Sequence, residues 1–193
     1  MAATRCYAHS LRTALDHLGS EDLFNQSGLE FVLEASAGSE FAEKRGALSV
    51  RLVETDRPDC ELMFSGDAVE AFEIVEADIL GRKRGLEYRE KAASGKATDW
   101  PIEEWATPDQ ARQVLQIAAA TKATKARDLA SKGIPYPPGT SLLIYLNIYD
   151  FGANHEAIKN EFAGSVQVAT AWFPTIWILW KGVAYRVFDQ QAR

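Results

Sequence analysis

A mixed α/β domain is the fold this sequence predicts, and three observations carry it. The apolar period changes from helical to strand-like just after Gly46. Two short strand patterns flank Ser65-Gly66-Asp67, a good hairpin loop. A strong helix opening at Thr107-Pro108-Asp109 is then followed by an apolar strand, Leu142 to Ile148, of the kind that suits the middle of a sheet.

In chain order, Leu11, Ala14, Leu15 and Leu18 share one face of a short first helix ended by Gly19. A second helix is expected from Leu29 to Lys44, with Leu29, Val32, Leu33, Ala37 and Phe41 on its apolar side and Gly46 closing it. Strands follow at Leu48 to Val53, Cys60 to Phe64 and Val69 to Ile79. Residues from Gly81 to Thr107 mix charge with Gly81, Gly85, Gly95 and Pro101 and read as a surface insertion between core strand and helix. The long helix runs to about Ser131 and ends at Gly133, and Pro135-Tyr136-Pro137-Pro138-Gly139 is a rigid connector. Asn154 can cap a helix from His155 to about Ala163. Ile176 to Trp180 and Val183 to Phe188 form a closing hairpin about Lys181-Gly182. Early antiparallel strands and later crossovers make one domain over residues 1–193, with a central mixed sheet flanked by helices and residues 81–107 as the insertion.

Composition narrows the function classes. With 193 residues and 47% hydrophobic content the chain can bury a sizeable core. No apolar run reaches bilayer length, and Met1 to Thr13 lacks the charge, apolar core and cleavage pattern of a signal peptide. A cytoplasmic protein with no membrane partner is the expectation. Cys6 and Cys60 form no CxxC, and His9, His17 and His155 are too scattered for a histidine metal cluster. A net charge of −6 argues against indiscriminate coating of nucleic acid but leaves local basic contacts open. No Gly-rich phosphate loop, HExxH, GxSxG or Cys/His nucleophile pattern occurs.

The acids are the unusual feature. Pro58-Asp59 opens one strand and Glu73 lies in the middle of the next. An ionised carboxylate inside a sheet is costly unless a cation or hydrogen-bond donors compensate it. Opposed residues of an antiparallel pair share a face, with Cβ atoms about 5 Å apart. A loop of Ser65, Gly66 and Asp67 sets Asp59 opposite Glu73, whereas a loop of Gly66 to Ala68 sets Asp59 opposite Val75. Both odd-length loops keep the two acids on one face. Paired oxygen ligands on rigid strands suit Mg²⁺ or Mn²⁺. The blander alternative is that Asp59 merely starts a turn and Glu73 faces solvent.

Two lysines bear on that choice. Ala111, Leu115, Ala118, Lys122, Lys125 and Leu129 form one stripe on the long helix, flanked by Val114, Ile117 and Thr121. Lys122 and Lys125 therefore interrupt the face expected to pack on the sheet. They either meet the paired carboxylates or snorkel to the helix edge.

Pro58-Asp59, then Glu73-x-Val75 in the following strand, within an α-β-β-β-α-β order, resembles the PD-(D/E)xK nuclease-like superfamily over roughly Leu29 to Phe188. That resemblance implies a restriction-endonuclease-like core and Mg²⁺- or Mn²⁺-dependent phosphodiester hydrolysis of nucleic acid. It makes Asp59 and Glu73 the metal ligands, helped by the backbone carbonyl after Glu73. The superfamily's lysine position holds Val75 here, and Lys122 or Lys125 on the following helix is the substitute. Glu30 or Glu34 on the first core helix is the additional acid. The competing reading keeps the fold without catalysis, as a protein-interaction or nucleic-acid-binding module. Partners are accordingly nucleic acid or protein, with a dimer allowed.

Further along, Glu76 and Asp78 lie on the opposite parity to Glu73 and join the site only through a bulge. Arg82, Lys83 and Arg84, with Tyr88 and Arg89, form a basic and aromatic cluster able to hold a nucleic-acid backbone, or a solvated loop diluted by Glu87 and Glu90. Trp172, Trp177 and Trp180 read as core and edge packing, and Trp100 and Trp105 as markers of a partner surface.

Overall fold

Helix α1 (Glu30–Arg45) leads into strands β1 (Ser49–Leu52), β2 (Cys60–Met63) and β3 (Val69–Ala77). Helix α2 (Pro108–Ser131), strand β4 (Ser141–Leu146), helix α3 (His155–Ala163) with a 3₁₀ turn (Gly164–Ala169), and strands β5 (Thr175–Trp180) and β6 (Val183–Asp189) follow. The computed structural model describes residues 30–53, 57–81, 106–148 and 155–192; the helix expected around Leu11 to Leu18 and nearly all of the 81–107 insertion, with Trp100 and Trp105, lie outside them.

The strands form one mixed six-stranded sheet in chain order, β1 to β6. Strands β1, β2 and β3 run antiparallel, β3, β4 and β5 parallel, and β5 and β6 antiparallel. Each parallel step needs a crossover, supplied by α2 and by α3 with its 3₁₀ turn. The result is an α/β domain with helices on both faces of a central mixed sheet, as the pattern of periods predicts. Among the described residues no helix is long and apolar enough to cross a membrane.

Local chemistry explains the boundaries. Thr107 caps α2 through a reciprocal box: its Oγ1 accepts from Gln110 N at 3.2 Å, and Gln110 Oε1 accepts from Thr107 N at 2.7 Å. Pro108 at the first helical position loses no hydrogen bond. The β5–β6 turn has Lys181 at φ 48° and Gly182 at φ 73°, the twist that a two-residue hairpin requires. Strand β3 stops at Ala77, short of the expected Ile79. There Asp78 Oδ1 accepts from Ile79 N at 2.7 Å and draws the chain off the ladder. Glu76 is exposed on the face away from Glu73, with Asn147 Nδ2 donating to it, so no bulge brings it round.

The core is split by the sheet. On one face α1 packs Ala37 and Phe41 against Cys60, Leu62, Phe72, Ile74, Leu143 and Leu179. On the other, α2 packs Leu115, Ala118 and Ala123 against Leu142, Ile144, Ile176 and Ile178. Strand β4 is apolar on both faces because both are covered. Glu73 points to the α2 side, into this second layer. It has no solvent exposure at all.

Candidate functional site

The β2–β3 hairpin positions the acids. Its register pairs Cys60 with Phe72 and Met63 with Val69, and Phe64 N donates to Ala68 O at 2.8 Å. The loop is therefore Ser65 to Asp67, and continuing the register past Cys60 sets Asp59 opposite Glu73 rather than Val75. Asp59 Oδ2 accepts from Ile74 N at 2.6 Å, which fixes its carboxylate against β3. Its carbonyl accepts from Val53 N at 3.1 Å. Both side chain and backbone of Asp59 are thus tied to neighbouring strands.

Helix α2 brings the lysines to the same place. Lys122 Nζ lies 3.0 Å from Glu73 Oε1 and 3.3 Å from Asp59 Oδ2, and only 9% of Lys122 is exposed. Lys125 Nζ lies 3.0 Å from the same Glu73 Oε1. Neither lysine snorkels past the carboxylates. On the stripe's margins, Val114 is buried, whereas Ile117 and Thr121 face solvent. The buried contact face therefore turns towards Ala119, Ala123 and Ala126.

Tyr136, in the connector between α2 and β4, completes the cluster. Its hydroxyl donates to Glu73 Oε1 at 3.0 Å, and its ring lies 5.6 Å from that of Phe173. Glu73 Oε1 thus takes three donors while Oε2 is buried with no hydrogen-bond partner. A buried anionic oxygen without a donor is costly. Sequence reasoning passes over Tyr136 because its connector has neither helical nor strand periodicity. The one available signal is a lone aromatic hydroxyl enclosed by prolines just after the lysine-bearing helix.

Among the described side chains of α1, Glu34 lies within electrostatic range of the cluster. Burial raises its pKa, the charge of Asp59 adds to this, and Lys122 opposes it. Glu30 opens the same helix, but its side chain lies outside the described residues. Arg82, Lys83 and Arg84 also lie outside them. Cys60, next to Asp59, is fully buried, and burial with the surrounding carboxylates pushes its thiol up to about 12, so it is no nucleophile. The Tyr136 hydroxyl is likewise pushed up by burial and by the charge of Glu73, and stays a donor.

Asp59, Glu73 and Glu34, which sense one another electrostatically, outnumber the Lys122 and Lys125 ammonium groups by one charge when all are ionised. Burial raises the Asp59 pKa most, and Glu73 adds to it, against the opposing effects of Lys122 and of the Ile74 N–H. The folded chain therefore binds protons more readily than the unfolded chain between the ordinary carboxylate value and the raised ones. The contribution of Asp59 and Glu34 to stability is greatest below that window and is lost as pH rises through it. Lowering the pH into this window is expected to shift Tm in favour of the wild type over Asp59→Asn. Thermal melts of both proteins across the acidic range check this, and parallel Tm curves would contradict it.

Asp59 and Glu73 are the described residues whose oxygens could hold a hard divalent cation. Two carboxylates from rigid strands, one with an unmatched buried oxygen, are the kind of ligands Mg²⁺ takes together with waters and substrate phosphate. No group of three or more His, Cys, Asp or Glu side chains is drawn together at metal-holding spacing among the described residues. No protein-family model matches this chain, and neither a curated protein nor a solved structure matches it.

Proposed function

We propose that the protein is a divalent-metal-dependent phosphodiesterase acting on nucleic acid, with Asp59 and Glu73 as the residues that would hold Mg²⁺ or Mn²⁺. The observation that carries this is the convergence of a hairpin-opposed acid pair with Lys122, from a different element, within 3.0 to 3.3 Å. An ion held by these acids would supply charge neutralisation to a phosphate and acidity to a water. The chain's own groups do the rest. Lys122 either stabilises charge on the phosphate or orients the attacking water, in the place that Val75 leaves apolar. Tyr136 holds the Glu73 carboxylate in one orientation, and Ile74 N does the same for Asp59.

A second reading is a non-catalytic binding module, in which the cluster is an internal ion-pair network. The several ammonium and hydroxyl donors on Glu73 Oε1 favour it, because they balance much of the buried charge without a metal. Metal titration separates the two. Saturating Mn²⁺ is expected to raise the Tm of the native protein but not of Asp59→Ala or Glu73→Ala. No shift in the native protein would count against the enzyme. Cleavage assays on single-stranded, duplex and branched substrates then test activity directly.

A further inference from the structure

Beside the acidic cluster, the same connector walls a hollow of about 130 Å³. Its lining includes Ala126 and Ala130 of α2, Pro135 and Tyr136 of the connector, and Trp172 and Pro174 ahead of β5. None of its lining side chains is charged. We propose that this hollow is the subsite for an unpaired nucleobase next to the scissile phosphate, so that the substrate is single-stranded nucleic acid. The inference rests on the phosphodiesterase reading for what flanks the base.

Three observations converge on it. The hollow and the acids share Tyr136, whose hydroxyl reaches Glu73 while its residue lines the hollow. Ala126 and Ala130 follow Lys122 at helical spacing on one face of α2, so the hollow begins about 6 Å and ends about 12 Å along the axis from that lysine. That interval suits the distance from a backbone phosphate to a base one nucleotide away. A positive charge also lies within electrostatic range of Tyr136. Arg57, two residues before Asp59, donates from Nη1 to Ile134 O at 2.9 Å, at the foot of the connector. An ion held by the acids, the Arg57 cation at the start of the connector and the uncharged apolar hollow would meet phosphate, phosphate and base of a strand.

The occupant must be flat, apolar on its faces and attached to an anionic chain. Trp172 is 39% exposed and so offers a stacking surface in the lining. The Thr140 hydroxyl in the lining donates to Pro137 O at 2.7 Å, an internal bond that leaves stacking as the main source of recognition. Recognition is therefore expected to tolerate any base. A base held in a duplex cannot enter such a hollow without leaving its stack.

The test is binding of a short labelled oligothymidylate at low salt, with Ca²⁺ in place of Mg²⁺, followed by anisotropy. Wild-type protein is expected to prefer the single strand to its duplex. Trp172→Ala and Ala130→Phe are expected to weaken single-strand binding about tenfold or more, the range of one base stacked on an aromatic residue. Ala130→Phe fills the hollow from an exposed helix position, so unchanged melting separates lost binding from lost folding. Equal binding by wild type and both variants, or no single-strand preference, overturns the subsite. Variant-sensitive binding without any Mn²⁺-dependent cleavage upholds the subsite and rejects the phosphodiesterase. Cleavage of duplex and single strand alike, untouched by Trp172→Ala, rejects the subsite and keeps the phosphodiesterase.

Discussion

Lys122→Met is expected to lower Tm substantially while making the protein more responsive to divalent metal. Methionine keeps the length and apolar stem, so the change removes charge rather than packing. It leaves Asp59 and Glu73 facing one another in a site where Glu73 has no exposure and Lys122 had 9%. Breaking a buried pair from one side costs about 3–5 kcal/mol. For a chain of this size that is a Tm fall of about 6–20 °C. Lys125→Met is expected to cost about 1 kcal/mol or less, because its side chain is 38% exposed and solvent already screens it. The metal response moves the other way. Without the Lys122 ammonium, the acid pair attracts a cation more strongly, so Mn²⁺ raises the Tm of Lys122→Met by more than that of wild type. Turnover is expected to fall about 10²–10³-fold, the range for one lost electrostatic donor. A variant that melts lower but gains nothing from metal would leave only the ion-pair network.

Much of this arrangement is legible in the order of residues because strands and helices impose parity. Side chains alternate along a strand, so an odd loop after Phe64 is enough to put Asp59 and Glu73 on one face. The type of loop, not its parity, decides between Glu73 and Val75 as the opposed residue, and the bond from Phe64 N to Ala68 O selects Glu73. The lysine stripe is legible for the same reason: spacings of three and four place residues on one helix face. Several features lack such a rule. Tyr136 sits where no period operates, so only the tertiary position of the connector aims its hydroxyl at Glu73. Glu30 and Glu34 are four residues apart and share a helix face, so periodicity cannot choose between them. The end of β3 depends on Asp78 bonding its neighbour's N–H, a local competition invisible to alternation. Trp172 follows the 3₁₀ turn, and its exposure depends on how that turn docks.

Glu73→Gln is expected to show the reverse profile to Lys122→Met: a smaller loss of stability and complete loss of the metal response. Glutamine preserves shape, and its carbonyl oxygen can still accept from Tyr136. Lys125, partly exposed, turns to water, while Lys122 retains Asp59 at 3.3 Å. The stability cost is therefore about 1–3 kcal/mol, that of an imperfectly satisfied buried group. The buried Oε2, which has no partner in the native arrangement, is where the two readings diverge. If Glu73 is a cation ligand, a neutral amide removes the charge that holds the ion, Mn²⁺ no longer raises Tm, and turnover falls by more than the about 10–100-fold that follows loss of an outer-sphere partner. If Glu73 only balances lysines, neither variant has a metal response to lose. The double variant Glu73→Gln/Lys122→Met then recovers about 0.5–3 kcal/mol relative to the sum of the singles, since each change removes the other's stranded charge. Coupling in stability alone accompanies an internal ion pair. Coupling in stability together with opposite shifts in metal response requires that the carboxylate serve a cation from outside the chain.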